Sequence, residues 1–508
     1  MNKTTVVIPT AGLGSRVGDL SKNLNKSLLP FRAMPVIAHI IERFPKNTRF
    51  IVPIGYKADQ VKDFLNIAYS DRHIEFVEID DYTSSKSGPG YTISKCLSNI
   101  KEPFWYIPCD TYFTENIADK FYDEDTIFVK QVPSELSSLY TMFEVMDDRI
   151  TKMSFKEHQD STWLAFTGVM YINDWIGFSK RLTSHRSPEI IWTIQQNSKV
   201  VKLNSWTDFG NINIYKAAVS DSQKYDWTKT DELTFICNHK VIKWWIDANI
   251  PKKKYDKTLN NYKVIPTNCM YKGEWLAYDL FEGSTLYDNH SAKILTDLLN
   301  WLDKEVWLQS NADLSLAAHE FYKQKTLKRI DLFLKKYPNI EDASSIDGIE
   351  VKHWKYYLEN INWPLLENTN LPGFIHGDLQ FDNVIVNDLG EFKIIDWRHE
   401  FANLVDIGDI YYDLAKLIGG FIIDYSKIKQ NQFSYTKDKG NIKLNIPHVK
   451  NHKDYISIVK KFIEDKGWDY SKVQLLIPLI FWNMAPLHTP PFDQFLWYLG
   501  ILLFEEII

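Results

Sequence analysis

Cysteine is scarce. Cys96, Cys109, Cys237 and Cys269 are scattered and none sits in a C-x-x-C pair. That excludes a disulfide scaffold and a cysteine-built zinc site. Basic residues hold no excess: 59 Lys and Arg face 65 Asp and Glu, for a net charge of −6. A chain-wide nucleic-acid footprint is therefore absent, and no nucleic-acid partner is expected. Long hydrophobic runs are also missing. The longest, residues 495–504, falls well short of the roughly 20 residues that span a bilayer, so it reads as a buried helix and no membrane partner is expected. The opening MNKTTVVIPTAG has neither an apolar h-region nor a small-residue cleavage site, so no signal peptide is read. A cytoplasmic, reducing location is the expectation. No internal repeat and no low-complexity tract is seen.

What is present is ordinary globular composition, 44% apolar and 24% charged. At about 150 residues per domain, 508 residues suggest three domains or two large ones. Aromatics reach 14%, with 17 Trp, which indicates large cores or stacking pockets without choosing between them.

The first part alternates. Apolar strands are predicted at 5–9, 49–54, 74–79 and 104–108, with helical spacing at 36–41 and 58–68. This rhythm predicts an α/β sheet with helices on both faces, whose ligands sit at the carboxyl ends of strands. Residues 220–232 turn polar and read as a linker, placed at 221–231 between a domain at 1–220 and one at 232–508. Strand-like segments follow at 233–237, 240–246, 268–271 and 275–280, as a small lobe over about 232–287. From Ser291 onward helical spacing dominates to the C-terminus, apart from strand-like pieces at 384–386 and 392–395, as a helical lobe over about 288–508.

Two groups of residues carry chemistry. The first strand runs into Pro9-Thr10-Ala11-Gly12-Leu13-Gly14-Ser15-Arg16, and ten residues later comes Lys26-Ser27-Leu28-Leu29-Pro30. Paired glycines let backbone N–H groups approach a polyphosphate, and the Arg and Lys add cations. A lone G-x-G is merely a turn; the spaced Lys is what raises its weight. Gly88-Pro89-Gly90-Tyr91, Cys109-Asp110, Lys156, Thr167-Gly168 and Trp206-Thr207-Asp208-Phe209-Gly210 follow in order. Together they resemble the nucleotidyltransferases that make NDP-sugars and CDP-choline-type products, over about residues 5–217. Asn25 departs from the Pro that usually precedes the family lysine, and Phe155 from the Glu before Lys156.

The resemblance implies a Rossmann-like nucleotidyltransferase fold with a mixed sheet and helices on both faces. It implies nucleotide contacts from Ala11, Gly12, Gly14, Ser15, Gly88 and Gly90, and catalysis by Arg16 and Lys26. Substrate contacts would come from Lys156 and Gly168, and Mg²⁺ would be held by Asp110 and Asp208. Two anions must meet at the α-phosphorus, so charge neutralisation and positioning suit the task better than a covalent nucleophile.

The second group is Ile375-His376-Gly377-Asp378-Leu379-Gln380-Phe381-Asp382-Asn383, followed by Ile394-Ile395-Asp396-Trp397. It resembles the aminoglycoside phosphotransferase and choline kinase families, which share the two-lobed α+β protein-kinase fold. The resemblance implies Asp378 as the catalytic proton acceptor, with Asn383 and Asp396 holding Mg²⁺ on ATP. Lys243, in Val241-Ile242-Lys243, resembles the strand lysine that pairs with nucleotide phosphates, and Lys240 is its alternative. His376 reads as loop support, and Asp409 and Asp413 as scaffold. Gly377 stands where choline kinases typically carry Asn.

A kinase makes a phosphate monoester and a nucleotidyltransferase consumes one. The pair implies a bifunctional enzyme running X to X-phosphate to NDP-X, with ATP and an NTP (CTP, UTP, GTP or dTTP) as substrates and Mg²⁺ as cofactor. Such products usually feed surface polysaccharide or lipid decoration. X is expected to be a sugar. The alternatives are choline, ethanolamine or a related aminoalcohol, or a degenerate kinase-like module that only binds. Nothing in the sequence fixes an oligomeric state.

Overall fold

The computed structural model describes residues 4–84, 86–118, 120, 122–185, 188–222, 231–261 and 263–508. The expected linker lies for the most part on residues 223–230, outside the described residues. The chain divides into two compact units, one of Met1–Ala248 with Lys272–Ala277, the other of Asn249–Tyr271 with Tyr278–Ile508.

In the first unit the centre is a nine-stranded mixed sheet. Strand Thr5–Val7 pairs in parallel with Arg49–Ile54 on one side and Phe104–Tyr106 on the other. His73–Glu78 continues the parallel half, and Leu164–Ile172 joins antiparallel to Phe104–Tyr106. Parallel strands covered on both faces read as unbroken apolar runs, which is what TVV, FIVPI and FWY are. Helix Ala58–Ala68 buries Val61, Phe64, Leu65 and Ala68, the i, i+3, i+4, i+7 stripe that a packed helix needs. Register places Val7 opposite Tyr106, so the loops leaving these two strands begin side by side.

The antiparallel hairpin Glu232–Cys237 and Lys240–Trp245 was expected in the small lobe of the second domain. It falls in the first unit, where Phe235 packs edge-on against Phe64 of helix Ala58–Ala68 at 5.9 Å between ring centroids. Trp275, also of this unit, lies 5.4 Å from Phe64. Aromatic burial against an apolar helix face supplies the reason.

The second unit is mainly helical. Helix Ile410–Ile422 is buried along its whole length, and Tyr470–Met484 and Phe492–Glu505 pack through stacked Trp482 and Trp497 at 5.1 Å. The apolar run at 495–504 is thus a buried helix, and no helix among the described residues is long and apolar enough to cross a membrane. Hairpin Val384–Val386 and Phe392–Ile394 forms a three-stranded sheet with Ser284–Thr285. One expectation needs correction: the region after 291 is not helical apart from that hairpin. Ser434–Asp438 and Asn441–Asn445 form a further hairpin within a four-stranded sheet. Its strands are mostly polar and only Ile442 and Leu444 are buried, so alternation on one strand alone marks it.

Candidate active sites

In the first unit, the glycine loop leaves strand Thr5–Val7 and closes as a single turn at Ser15–Val17. Gly14 begins that turn at φ +70°, a left-handed conformation that favours glycine, and a Cβ there would crowd Lys26. Ala11 is buried and its carbonyl accepts from the Tyr56 N–H, while a Cβ on Gly12 would meet open space. Asn25, the departure from the family proline, has a structural role. Its Nδ2 donates to the carbonyls of Thr10 and Tyr56, and its Oδ1 accepts from the Ser27 N–H and hydroxyl. It fixes the lysine turn Lys26–Leu28 to the glycine loop.

The two predicted metal carboxylates converge. Strand Thr207–Asp208 pairs antiparallel with Thr111–Tyr112, setting Asp208 opposite Thr111, next to Asp110. The Phe209 N–H donates to the Asp110 carbonyl, and Trp206 Nε1 donates to the Thr111 hydroxyl at 2.7 Å. Gly210 lies between them. A Cβ there would meet Asp110 Oδ2 at 2.7 Å, Asp208 Oδ1 at 2.8 Å and Arg16 Nη2 at 3.2 Å. Four predicted residues therefore surround one small space, since Lys26 Nζ also bonds Asp110 Oδ2 at 2.7 Å.

Electrostatics separates the two acids. Burial opposes ionisation of Asp110, but Lys26 outweighs it and holds the carboxyl below the usual range. Lys26 is raised in return: burial disfavours its charge, and Asp110 overcomes that. Asp208 is pushed up to about 6, by burial first and then by the Asp110 charge. Two facing carboxylates of which one resists ionisation make a fitting pair for a divalent cation, whose charge would relieve both. Among the described residues no group of three or more His, Cys, Asp or Glu gathers as a metal cage. Two protein carboxylates suit Mg²⁺, which keeps water and substrate phosphate oxygens for its other positions.

None of the remaining predicted positions is in direct contact with Asp110 or Asp208 among the contacts of the described residues. Lys156 is exposed at φ +53°; its N–H donates to the Tyr140 carbonyl, and Tyr140 packs on Trp206 at 5.1 Å. No contact brings Lys156 onto Asp110 or Asp208. Gly168, at φ +83°, leaves room for Pro108, two residues before Asp110. Gly88 and Gly90 pack on Pro188, whose carbonyl accepts from the Gly90 N–H at 2.6 Å. Lys243 is almost fully buried and pairs with Glu232 at 3.5 Å.

In the second unit the loop at 375–383 is held by backbone-directed bonds. Asp413, wholly buried on helix Ile410–Ile422, accepts the His376 and Gly377 N–H groups at 2.7 Å each and Trp307 Nε1 at 3.1 Å. Asp409, also buried, accepts from Tyr322 and pairs with Lys472 at 2.7 Å. His376 is buried; its Nδ1 accepts from the Asp378 N–H and its Nε2 lies 2.7 Å from the Ile395 carbonyl, so Nε2 carries the proton. Burial lowers the ring to about 4, which keeps it neutral, a support rather than an acid. Gly377 stands at φ +84°, and a Cβ there would strike Arg398 at 2.6 Å, which excludes the Asn of choline kinases without displacement of Arg398.

The surrounding protein disfavours the charge of the half-exposed Asp378, but the Lys416 ammonium at 2.6 Å outweighs that and pulls it down to about 2. Asn383 Nδ2 donates to the Asp378 carbonyl at 2.8 Å, which turns Oδ1 into the atom a metal would take. The Ile395 N–H donates to the Asn383 carbonyl, so Asp396, at φ +59° just past strand Phe392–Ile394, is brought beside Asn383. The loop thus joins Asp378, Asn383 and the Asp396 strand end. The sequence reading missed Lys416, although it lies three residues after Asp413 on the same buried helix.

With this geometry in view, comparison with known proteins separates two regions. Residues 6–130 match the family model described as the MobA-like NTP transferase domain. Residues 296–433 match the phosphotransferase enzyme family, APH. Two regions of the chain thus match, in order, a nucleotidyltransferase family model and a phosphotransferase family model. The bifunctional protein GlmU of Methanococcus vannielii is 23% identical over 163 residues, 32% of this chain and 37% of that protein. The chain thus spans little more than a third of the length of that curated relative. Among solved structures, the CTP:phosphocholine cytidylyltransferase of Streptococcus pneumoniae is 19% identical, covering 44% of this chain and all of its own, with a TM-score of 0.36. A UDP-glucose pyrophosphorylase of Acinetobacter baumannii is 14% identical over 44% of this chain and 95% of its own, with a TM-score of 0.38.

Proposed function

We propose that the chain performs two consecutive transfers on one small compound X. In the second unit the hydroxyl oxygen of X attacks the γ-phosphorus of ATP, its proton passes to Asp378, and ADP leaves. In the first unit an oxygen of X-phosphate attacks the α-phosphorus of an NTP, the bond to the β-phosphate breaks, and pyrophosphate departs with NDP-X left behind. X is a sugar in the leading reading, and the activated product serves surface polysaccharide or lipid decoration.

One observation carries this reading: each unit gathers its own carboxylates and cations at a strand end, around Gly210 in one and around Asp378 in the other. Arg16 grips the departing pyrophosphate as a planar donor. Lys26, released from Asp110 as substrate enters, neutralises the incoming phosphate together with Lys156. The loop at 11–15, with Gly88 and Gly90, lets backbone approach the nucleotide, and Gly168 faces X. Asp110 and Asp208 would hold Mg²⁺ in the first centre, and Asn383 and Asp396 in the second; bound there, the metal would neutralise phosphate charge. Asp378 is ionised and ready to accept a proton, and Lys416 orients it.

The test is a screen of sugars, choline and ethanolamine with ATP for ADP release, then of their phosphates with the four NTPs for pyrophosphate release. Turnover in both stages on one scaffold X is expected. Pyrophosphate release with no ATP-dependent phosphorylation of any compound would instead favour a kinase-like binding module.

A further inference from the structure

Positive charge gathers around Asp378. Lys416 bonds its carboxylate. Lys325, the first residue of helix Lys325–Lys336, sets its ammonium 3.4 Å from the centroid of Phe321 and 5.8 Å from that of Tyr412. The Arg398 guanidinium lies over the same Phe321 ring at 5.0 Å. Arg329 follows one turn after Lys325 on the same helix face. The helix enters this point through a π-helical segment, His319–Gln324, a form that recurs at functional sites.

These cations feel one another. Burial, then Arg398, Arg329 and Lys416, hold Lys325 well below its ordinary range. Burial and Arg398 lower Arg329 as well. Among the described residues no carboxylate lies within ion-pair distance of Lys325, Arg329 or Arg398. Asp378 is committed to Lys416, and nearby Asp382 is shared with Lys429 at 3.5 Å. Half-buried cations without a counter-ion are costly, and an anion that binds among them removes that cost.

The same geometry weighs against an aminoalcohol. A quaternary ammonium needs an open aromatic face. The Phe321 ring already faces Lys325 and Arg398, and Tyr412 faces Lys325. The ATP phosphates are assigned instead to the Mg²⁺ that Asn383 and Asp396 would hold, and Lys325 and Arg329 stand apart from that pair on helix Lys325–Lys336.

We propose that the acceptor of the phosphotransferase unit is a hydroxyl compound that also bears an anionic group, a carboxylate or a phosphate, held by Lys325, Arg329 and Arg398 beside Asp378. The proposal rests on the two-transfer reading above. The transfer itself is unchanged: the hydroxyl oxygen forms the new bond to the γ-phosphorus, Asp378 takes its proton, and ADP leaves. The product then carries two anionic groups, of which the new monoester goes on to the nucleotidyltransferase.

The experiment uses the full chain with ATP and matched acceptors: glucose, glucuronate and glucose 6-phosphate; the galactose and glycerol counterparts; choline and ethanolamine. An anionic member should exceed its neutral parent at least tenfold in kcat/KM, and the better of the carboxylate and phosphate arms identifies the group. Lys325→Gln and Arg329→Gln should raise acceptor KM at least tenfold with ATP KM within twofold, and Lys325→Arg should restore most of it. A neutral or ammonium acceptor matching its anionic counterpart overturns this proposal while leaving the two-transfer reading intact. So does a rise in ATP KM in place of acceptor KM. No phosphorylation across the whole panel rejects the kinase half of that reading, and this inference with it. If a variant fails to fold, the comparison within the wild-type panel decides.

Discussion

Replacing Asp208 with Asn should make the empty protein more stable and the nucleotidyltransferase inactive. The carboxyl of Asp208 is raised from about 3.8 to about 6 by burial and by Asp110. An acid with a raised value in the fold binds its proton more tightly there than when unfolded. Its contribution to stability is therefore full below about pH 4, declines as pH rises through about 6, and is a net cost at pH 7.5. At about 1.4 kcal/mol per pH decade, the gap corresponds to about 3 kcal/mol. Asp208 retains partial solvent access, so about 1–2 kcal/mol is expected in practice. Asn keeps the oxygen that accepts the Gly210 N–H at 2.8 Å, so the local fold is preserved. Melting is followed by calorimetry at pH 7.5 with and without Mg²⁺, taking the transition that Mg²⁺ shifts in the parent protein. At roughly 2–4 °C per kcal/mol for a unit of this size, the variant should melt several degrees higher without metal and lose the Mg²⁺-dependent rise. Pyrophosphate release should fall at least a hundredfold. A lower melting point without metal, or an undiminished Mg²⁺ response, would refute the placement of Asp208 as a destabilised metal ligand.

Asn25→Pro, which restores the residue typical of the resembling family, should destabilise the first unit by about 2–4 kcal/mol, because it removes the side-chain ties and also the N–H that donates to Gln60; urea denaturation reads this. Asp413→Asn forces an N–H₂ against the His376 or Gly377 N–H and should cost about 2–3 kcal/mol while lowering ATP-dependent phosphorylation. Pyrophosphate release from supplied X-phosphate should stay within twofold of wild type. Lys416→Met removes the charge that holds Asp378 at about 2, so the acid limb of kcat for phosphorylation should move toward neutral pH; a pH profile unchanged from wild type would contradict the pairing.

The sheet was legible because parallel strands covered on both faces spell out unbroken apolar runs. Segments 49–54 and 104–108, read from composition, became Arg49–Ile54 and Phe104–Tyr106. Asp110 and Asp208 stood out through their motifs, but their meeting at Gly210 depends on a two-residue ribbon too short to predict. The hairpin at 434–445 was hidden because most of its side chains are polar and solvent-facing. The placement of Glu232–Trp245 with the first unit follows from Phe235 and Phe64, a contact across about 170 residues of sequence that no local pattern records. The cations around Asp378 were illegible for the same reason. Lys325, Arg329, Arg398 and Lys416 come from three separate segments, and only folding makes them neighbours.

The central claim is that one polypeptide holds two independent phosphorus-transfer centres. Its most direct test is a cross of Asp110→Asn and Asp378→Asn in the full chain, each assayed for ADP release from ATP with the acceptor and for pyrophosphate release from NTP with the acceptor phosphate. Asp110→Asn should abolish pyrophosphate release alone, and Asp378→Asn ADP release alone, the untouched activity staying within twofold of the parent. Loss of both activities in either folded variant would contradict two separate centres.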